Sequence, residues 1–416
     1  LVWRDVIVDQ THRRLPLAPR AGRALRHLPL APEARDIDRG VRPIYAVWEL
    51  TLQCDLACRH CGSRAGRARP DELTTAECLD LVRQMKDLGV LEVTVIGGEA
   101  YLRDDWVEIV RAIRAAGMAC SMTTGGRGMT PERARAAAAA GLQTAGVSID
   151  GREATHDWLR GVTGAYRSAL EAVANLRAAG VRVSVNTQIN KRSMGELPDV
   201  LETAIGFGAR GWQIQLTAAM GRAADAPELL LQPEDLLEVF PMLARLRRRC
   251  DEAKVTFWPA NNVGYFGPYE SVLRRDHPGG RASSCGAGCS TLGIEADGAI
   301  KGCPSLQTVP WTGGNIRDAS LQDVWERSAA LRYMRDRTVD DLWGYCRTCY
   351  YADACRAGCT WTAFSLFGKP GNNPLCHHRV LEMRKQGKRE RLVPVAPAPG
   401  VPFDNGRFEI VVEDLP

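Results

Sequence analysis

Cys54, Cys58 and Cys61 form a C-x3-C-x2-C run. Three thiolates this close can hold three irons of a cubane cluster and leave the fourth iron open to a substrate. A structural zinc ion would take a fourth nearby Cys or His. His60 is adjacent, but it sits between two ligands and is poorly placed for that role. Eight more cysteines crowd the C-terminal part: Cys285, Cys289, Cys303, Cys346, Cys349, Cys355, Cys359 and Cys376. Eight is the number that two fully ligated four-iron clusters need. The C-x2-C-x5-C-x3-C spacing from Cys346 to Cys359 is specific to ligation, and two four-cysteine zinc sites are the rival reading. Cys285 also precedes a G-x4-C pair, Gly298 and Cys303. Cys78, Cys120 and Cys250 stand apart from the other cysteines in sequence and read as buried apolar residues.

Other residues could serve the first cysteine group. Gly97-Gly98-Glu99 is either an ordinary turn or a loop where backbone approaches a ligand closely and a carboxylate meets a cation. Ser148 and Asp150 lie in Val147-Ser-Ile-Asp-Gly, where Asp150 either contributes to a site or caps the following turn. Arg160 stands in His156-Asp-Trp-Leu-Arg-Gly and offers a fixed guanidinium. Asn186 and Gln188 share one strand face by two-residue alternation, lining a pocket or filling a barrel. Thr123 and Thr124 are similar candidates.

These residues fall at the ends of predicted strands. Strands are read at Ile44–Leu52, Leu91–Ile96, Ala119–Thr124, Thr144–Ile149, Val181–Ile189 and Gly211–Leu216. Helices are read at Thr75–Leu88, Asp105–Ala116, Pro131–Ala140, Tyr166–Ala179 and Gly195–Phe207. Thr74 and Glu77 form a capping box for the first, and Gly89, Gly141, Gly180 and Gly208 stop four of the helices. Six βα units in sequence, with right-handed crossovers, predict an α/β fold whose parallel sheet curls into a partial barrel. Active sites in such sheets sit at the C-terminal strand ends. The expected organisation is an irregular basic extension (1–43), the barrel (44–231), a helical bridging region (232–284) with a charged helix from Pro233 to about Glu252, a loop-rich cysteine domain (285–380) and a tail (381–416). The tail holds a basic stretch (Arg379–Arg391), a Pro-rich segment and a short apolar run (Phe408–Val412).

Composition narrows the class. With 54 Lys and Arg against 49 Asp and Glu, the net charge is only +5. The charges are interleaved, as on a solvated surface rather than a nucleic-acid face. There is no apolar run of membrane-spanning length and no apolar signal core in the first forty residues. The expectation is a cytoplasmic protein that binds neither nucleic acid nor membrane. Closely spaced cysteines in that compartment favour ligation over disulfides.

The cysteine run after the first strand of a βα barrel resembles the signature of the radical S-adenosylmethionine (SAM) superfamily. The resemblance covers roughly residues 44–380. It implies a [4Fe-4S] cluster on Cys54, Cys58 and Cys61 whose open iron chelates SAM, and reductive cleavage of SAM to methionine and a 5′-deoxyadenosyl radical. Gly97, Gly98 and Glu99 are similar to the family's GGE motif, which meets the SAM amino group, with Ala100 where Pro is usual. By the same resemblance Ser148 and Arg160 would meet the SAM carboxylate. Asp150, Asn186 and His60 would also belong to the cofactor site; His60 replaces the usual aromatic residue and could pack on adenine.

The C-terminal cysteines resemble the SPASM domain found in many peptide-modifying members. That likeness implies a small loop-rich iron–sulfur domain after a partial (β/α)6 TIM-like barrel. Its interleaved ligand sets would be Cys285, Cys289, Cys303 and Cys359 for one auxiliary cluster, and Cys346, Cys349, Cys355 and Cys376 for the other, giving three [4Fe-4S] clusters in all. The implied function is an oxidoreductase that matures ribosomally made peptides, taking a hydrogen atom and then an electron to leave a thioether, carbon–carbon or ether crosslink. Enzymes that oxidise a sulfatase residue carry Asp after the equivalent of Cys303; Pro304 stands here. The catalytic residue is unknown, with Tyr265, Glu295 and Asp297 as candidate bases. Expected partners are a precursor peptide and an external electron donor such as flavodoxin or ferredoxin; residues 1–43 are too short for a winged-helix module, so either a separate peptide-carrier protein delivers the peptide or none is needed. A small-molecule radical enzyme, with a sugar alcohol or tetrapyrrole-related substrate, and a zinc-binding interaction protein are the alternatives.

Overall fold

The strand–helix rhythm of the sequence builds seven parallel strands side by side in chain order. They are β1 (Tyr45–Thr51), β2 (Glu92–Gly97), β3 (Ala119–Thr124), β4 (Thr144–Ser148), β5 (Arg182–Ile189), β6 (Gly211–Leu216) and β7 (Thr256–Pro259). This architecture comes from a computed structural model, which describes residues 29–281 and 284–415. The expected basic extension therefore lies outside the described residues up to position 28. β1 is buried along six of its seven residues, as a parallel strand covered on both faces must be. Helices Thr75–Leu88, Trp106–Ala115, Pro131–Ala139, Ala165–Ala178 and Leu197–Gly206 connect the strands. Thr74 caps the first of these by accepting from the Glu77 amide, while the Glu77 carboxylate accepts from the Thr74 amide. Gly89, at φ 95°, ends it in the left-handed region that only glycine enters at no cost. The His156-Asp-Trp-Leu-Arg-Gly segment is itself helical, in Glu153–Arg160.

The sheet does not stop at the six predicted strands. β7 extends it beyond β6. At the other edge β8 (Thr291–Ile294) pairs in parallel with β1, from Tyr45 opposite Thr291 to Trp48 opposite Ile294. β9 (Ala299–Lys301) and β10 (Gly314–Asn315) then add antiparallel, so ten strands run in the order β10-β9-β8-β1-β2-β3-β4-β5-β6-β7. The first strand of the cysteine-rich region is thus a direct neighbour of the strand that feeds the first cysteine loop. Buried charges fasten the same seam. Arg69 reaches Glu49 at 3.0 Å and Glu295 at 3.2 Å, and Lys301 meets Glu295 at 2.7 Å.

The tail is more ordered than its sequence suggested. β11 (Lys388–Ala396) and β12 (Arg407–Asp414) form an antiparallel hairpin. It packs against helices His377–Lys385 and Thr360–Phe367, and Leu392 and Phe408 join the main hydrophobic core. Arg379 and Glu390 form a buried pair at 2.7 Å through two parallel hydrogen bonds, the fork geometry that suits a guanidinium. Cys78, Cys120 and Cys250 are buried in that core.

At the described N-terminal end, helix Asp36–Gly40 packs on helix Leu321–Arg327 and reaches helix Ala329–Asp336 through ion pairs. Asp38 is fully buried and pairs with Arg35 at 2.7 Å, Arg332 at 2.9 Å and Arg335 at 3.0 Å. Burial opposes its ionisation, yet the arginines hold its carboxyl down at about 2. Replacing Asp38 by Asn leaves Arg335 buried without a counter-charge, which should cost about 3 kcal/mol of folding stability. Denaturant unfolding of Asp38→Asn beside the parent chain measures this; a loss below about 1 kcal/mol would mean water replaces the carboxylate.

Candidate active site

The segment after β1 turns back on itself. Cys54 N donates to Gly66 O at 3.2 Å, and Gly66 N to Leu52 O at 2.9 Å. The loop then docks on the C-terminal end of helix Glu153–Arg160, with Ala57 N donating to Arg160 O at 3.1 Å and Arg59 N to Leu159 O at 2.8 Å. Those carbonyls are ones a helix end leaves without intrahelical partners. Cys54, Cys58 and Cys61 come together in one apolar cluster with Leu56, Val162 and Ala165. Burial pushes the Cys58 thiol up to about 11 and Cys54 higher still. Thiols in such a setting persist as thiolates only beside a cation, and three of them without a fourth cysteine suit a cluster with one open iron.

Glu99 faces this group. Its carboxylate and the Cys54 and Asp55 ligand atoms lie within 4.8 Å of one another. It accepts from Thr124 Oγ1 at 2.5 Å and Gly125 N at 2.6 Å, and burial pushes its carboxyl up to about 8. The glycines before it are sterically required. A Cβ on Gly98 would stand 2.0 Å from Gln53 O and 2.7 Å from Cys54 Cβ, and one on Gly97 would stand 2.3 Å from Thr51 O. Ser148 and Asn186 are Cα partners across β4 and β5. Asn186 Nδ2 lies 3.5 Å from Thr123 Oγ1, and Asn186 Oδ1 is buried with no hydrogen-bond partner among the described residues. A buried acceptor left open at the strand ends fits a polar ligand there.

Asp150 has a larger part than a turn cap. Its carboxylate is fully buried and meets Arg160 Nη2 at 2.6 Å and His60 Nε2 at 3.2 Å, and it accepts from Gln188 N at 2.9 Å. The Asp150 amide donates to His156 Nδ1 at 3.2 Å. Burial resists ionisation, but Arg160 and then His60 hold the carboxyl far below the usual range. His156 falls to about 3 through burial and the Arg160 charge, so its ring is neutral. Arg160 extends past Asp150 to Cys58, with Nη1 at 3.8 Å from Sγ, and its Nε is buried without a partner among the described residues. His60 therefore faces Asp150. The V-S-I-D-G run was the visible signal for this carboxylate, but the four elements it joins are separate in sequence.

The later cysteines form two groups. Cys285, Cys289 and Cys303 pack on one hydrophobic cluster with Trp311, Phe364 and Trp361. Cys359 lies between this group and the next: burial first, and then the neighbouring Cys285 and Cys303, push its thiol up to about 12, and it packs on Tyr265 beside Cys355 and Cys376. Cys346, Cys349, Cys355 and Cys376 line one partly open pocket with Tyr265 and Tyr351. Eight cysteines gathered in this way suit two fully ligated clusters. Tyr265 pins the groups to each other. Its hydroxyl accepts from Cys359 N at 3.0 Å, its carbonyl lies 3.6 Å from Cys376 Sγ, and a Cβ on Gly358 would collide with its ring at 2.4 Å. The three candidate bases are all engaged: Tyr265 in this way, Glu295 with Lys301 and Arg69, and Asp297 with Ala299 N at 3.1 Å.

Packing links the first cysteine loop to these groups. Met220 lies against Gly62, its Sδ accepts from Trp361 Nε1 at 3.3 Å, and Trp361 packs on the Cys285 group. The loop between β11 and β12 closes over the same place. Asp404 takes Arg64 Nε at 2.7 Å, its carbonyl accepts from Gly221 N at 2.8 Å, and Asn405 bridges to Met220. Nothing in the Pro-rich tail sequence announced that contact.

Known proteins share these features. The model of the radical SAM superfamily matches residues 48–204, and that of an iron–sulfur cluster-binding domain, SPASM, matches residues 285–350. Mycofactocin maturase MftC of Mycobacterium tuberculosis is 30% identical over 346 residues, 82% of this chain and 84% of that protein. AdoMet-dependent heme synthase of Nitratidesulfovibrio vulgaris is 28% identical over 355 residues, 81% of this chain and 92% of that one. The crystal structure of Streptococcus suis SuiB bound to precursor peptide SuiA has the same fold, with a TM-score of 0.61 at 18% identity over 81% of this chain and 76% of that one.

Gly98→Ala should displace the cysteine loop and weaken SAM binding by about tenfold or more, or at least 1.4 kcal/mol. Gly66→Ala is the control, since a Cβ there meets nothing within 4 Å. Equilibrium SAM titration of both reconstituted variants decides it; equal affinities would show that the close approach of Gly98 is not what shapes the site.

Proposed function

The chain belongs to the radical SAM superfamily, in the branch that carries a SPASM iron–sulfur domain, and we propose that it is a peptide maturase that introduces an oxidative crosslink. The observation that supports this reading is the pair of later cysteine groups on either side of Tyr265, beside 30% identity to mycofactocin maturase MftC along 84% of its length. When bound, three [4Fe-4S] clusters and SAM supply reductive cleavage to a 5′-deoxyadenosyl radical, hydrogen abstraction from the peptide, and uptake of the second electron that closes a thioether, carbon–carbon or ether bond.

The residues divide the work. Cys54, Cys58 and Cys61 hold the cluster with the open iron. Glu99, raised by burial and steadied by Thr124 and Gly125, takes the SAM ammonium. Gly97 and Gly98 let that strand end approach the cysteine loop. Ser148, Asn186 and the free edge of Arg160 receive the carboxylate and ribose, while Asp150 and His60 position Arg160. Cys285, Cys289, Cys303 and Cys359 hold the nearer auxiliary cluster. Cys346, Cys349, Cys355 and Cys376 hold the farther one. A flavodoxin or ferredoxin supplies the first electron, and a separate carrier protein presents the peptide. No helix among the described residues is long and apolar enough to cross a membrane, in keeping with work in the cytoplasm.

A second reading has its own support. The heme synthase relatives, which the chain matches over 92% of their length in one case, favour a small tetrapyrrole-related substrate. Reduced, reconstituted enzyme incubated with SAM and the short peptide encoded nearest its gene separates the two. A peptide lighter by a pair of hydrogens establishes the maturase. An unchanged peptide with 5′-deoxyadenosine formed moves the small molecule to the front.

Replacing Cys54, Cys58 and Cys61 together by Ala should abolish SAM cleavage and leave roughly two thirds of the iron. Iron analysis and product chromatography read both values. Retained cleavage would remove the cluster assignment, and bound zinc in place of iron would point to an interaction protein.

A further inference from the structure

The outer side of the first cysteine loop carries a feature that the cofactor site does not use. Cys58 and His60 are buried, whereas Arg59 between them is exposed. Its guanidinium lies 4.6 Å from the Trp158 ring centroid, and its Nε donates to Trp158 O at 3.1 Å. The exposed Arg192, just after β5, lies over the same indole at 4.2 Å. Trp158 and Arg160 are two residues apart on one helix, a rotation of about 200°. The indole therefore faces away from the Asp150 and Cys58 side to which Arg160 points.

Neither Arg59 nor Arg192 meets a carboxylate within ion-pair distance among the described residues. The acids around them are committed elsewhere. Asp157 accepts from the amides of Gly164 at 2.6 Å and Tyr166 at 2.8 Å. Glu196 accepts from Arg152 N at 2.7 Å and Thr155 Oγ1 at 2.9 Å. Two other exposed arginines of this region are paired, Arg152 with Asp199 and Arg167 with Glu153. Stacked guanidiniums keep their hydrogen-bond donors free, and the ring holds them in place before any partner arrives.

We propose that Arg59, Trp158 and Arg192 form the docking surface for an acidic one-electron carrier protein of the flavodoxin or ferredoxin class. The carrier reduces the cluster held by the adjacent Cys58. This rests on the radical SAM reading above. One electron leaves the reduced carrier and enters the oxidised cluster, with no atom transferred and no bond made. This patch lies on the side of the helix turned away from Asp150 and Cys58, and Arg59 is one residue from a cluster ligand. Unneutralised cations there steer an acidic protein and set its orientation.

The test uses the full-length reconstituted enzyme, a purified acidic flavodoxin and a ferredoxin as protein donors, and dithionite as a small-molecule donor. Arg192→Glu should leave dithionite-driven SAM cleavage within about twofold and lower carrier-driven cleavage about tenfold or more, with Arg192→Lys close to the parent. Titration of the carriers at low and high salt should show weaker, less salt-dependent binding to Arg192→Glu. Equal carrier binding and carrier-driven rates for parent and Arg192→Glu would overturn the proposal. So would a parent enzyme that works with dithionite but takes electrons from neither carrier. Failure with dithionite as well would count against the radical SAM reading instead, and the binding titration would still decide the surface.

Discussion

A guanidinium buried beside a thiol needs a carboxylate, and in this chain that carboxylate is Asp150. It stands at the end of β4 and meets three elements at once: the cysteine loop through His60, helix Glu153–Arg160 through Arg160 and through the His156 bond to its amide, and β5 through Gln188 N. Burying such a group is costly unless its lone pairs are filled by charges and amides of good geometry. Here one oxygen accepts from the Gln188 amide and the other lies 2.6 Å from Arg160 and 3.2 Å from His60, and these charges fix where Arg160 lies against Cys58. Polar contacts behind the cysteine loop thus set the proposed cofactor site together with its ligands.

The two cysteine populations belong to one sheet. β1 carries the first cysteine loop at its end, pairs with β2 on one side and with β8 on the other, and shares the Glu49, Arg69, Glu295 and Lys301 cluster with the later region. The Met220 and Trp361 contact continues the connection on the site side. A region with a small apolar core of its own is thereby held by the large one, and its ligand-bearing loops inherit the rigidity of the strands they leave.

Much of this was legible in the sequence for local reasons. β-Branched strands, a capping box at Thr74 and glycines in the left-handed region mark elements wherever they occur, so the six central strands were readable. Cysteine spacing pointed to ligation of iron or zinc, while the membership proposed for the two later groups comes from likeness to a family. What could not be read depends on distant partners. β7 has four residues, includes Pro259, and becomes a strand because β6 offers it an open edge. The alternation in Lys388–Ala396 is obscured by Pro394 and by charged residues that pair across the hairpin, such as Arg389 and Arg391 with Glu413. Asp150 reads as a short polar residue in a turn, because its partners lie as far as ninety residues before it, at His60, and thirty-eight after it, at Gln188.

The contact between Arg64 and Asp404 spans 340 positions of chain. Arg64 follows Cys61 by three residues, in the left-handed region at φ 51°, and Asp404 together with Asp225 anchors its guanidinium there. Synthesis brings out the cysteine loop 340 residues before the carboxylate that anchors it. The loop therefore acquires its final form only after every strand of the barrel and the whole later cysteine region have emerged.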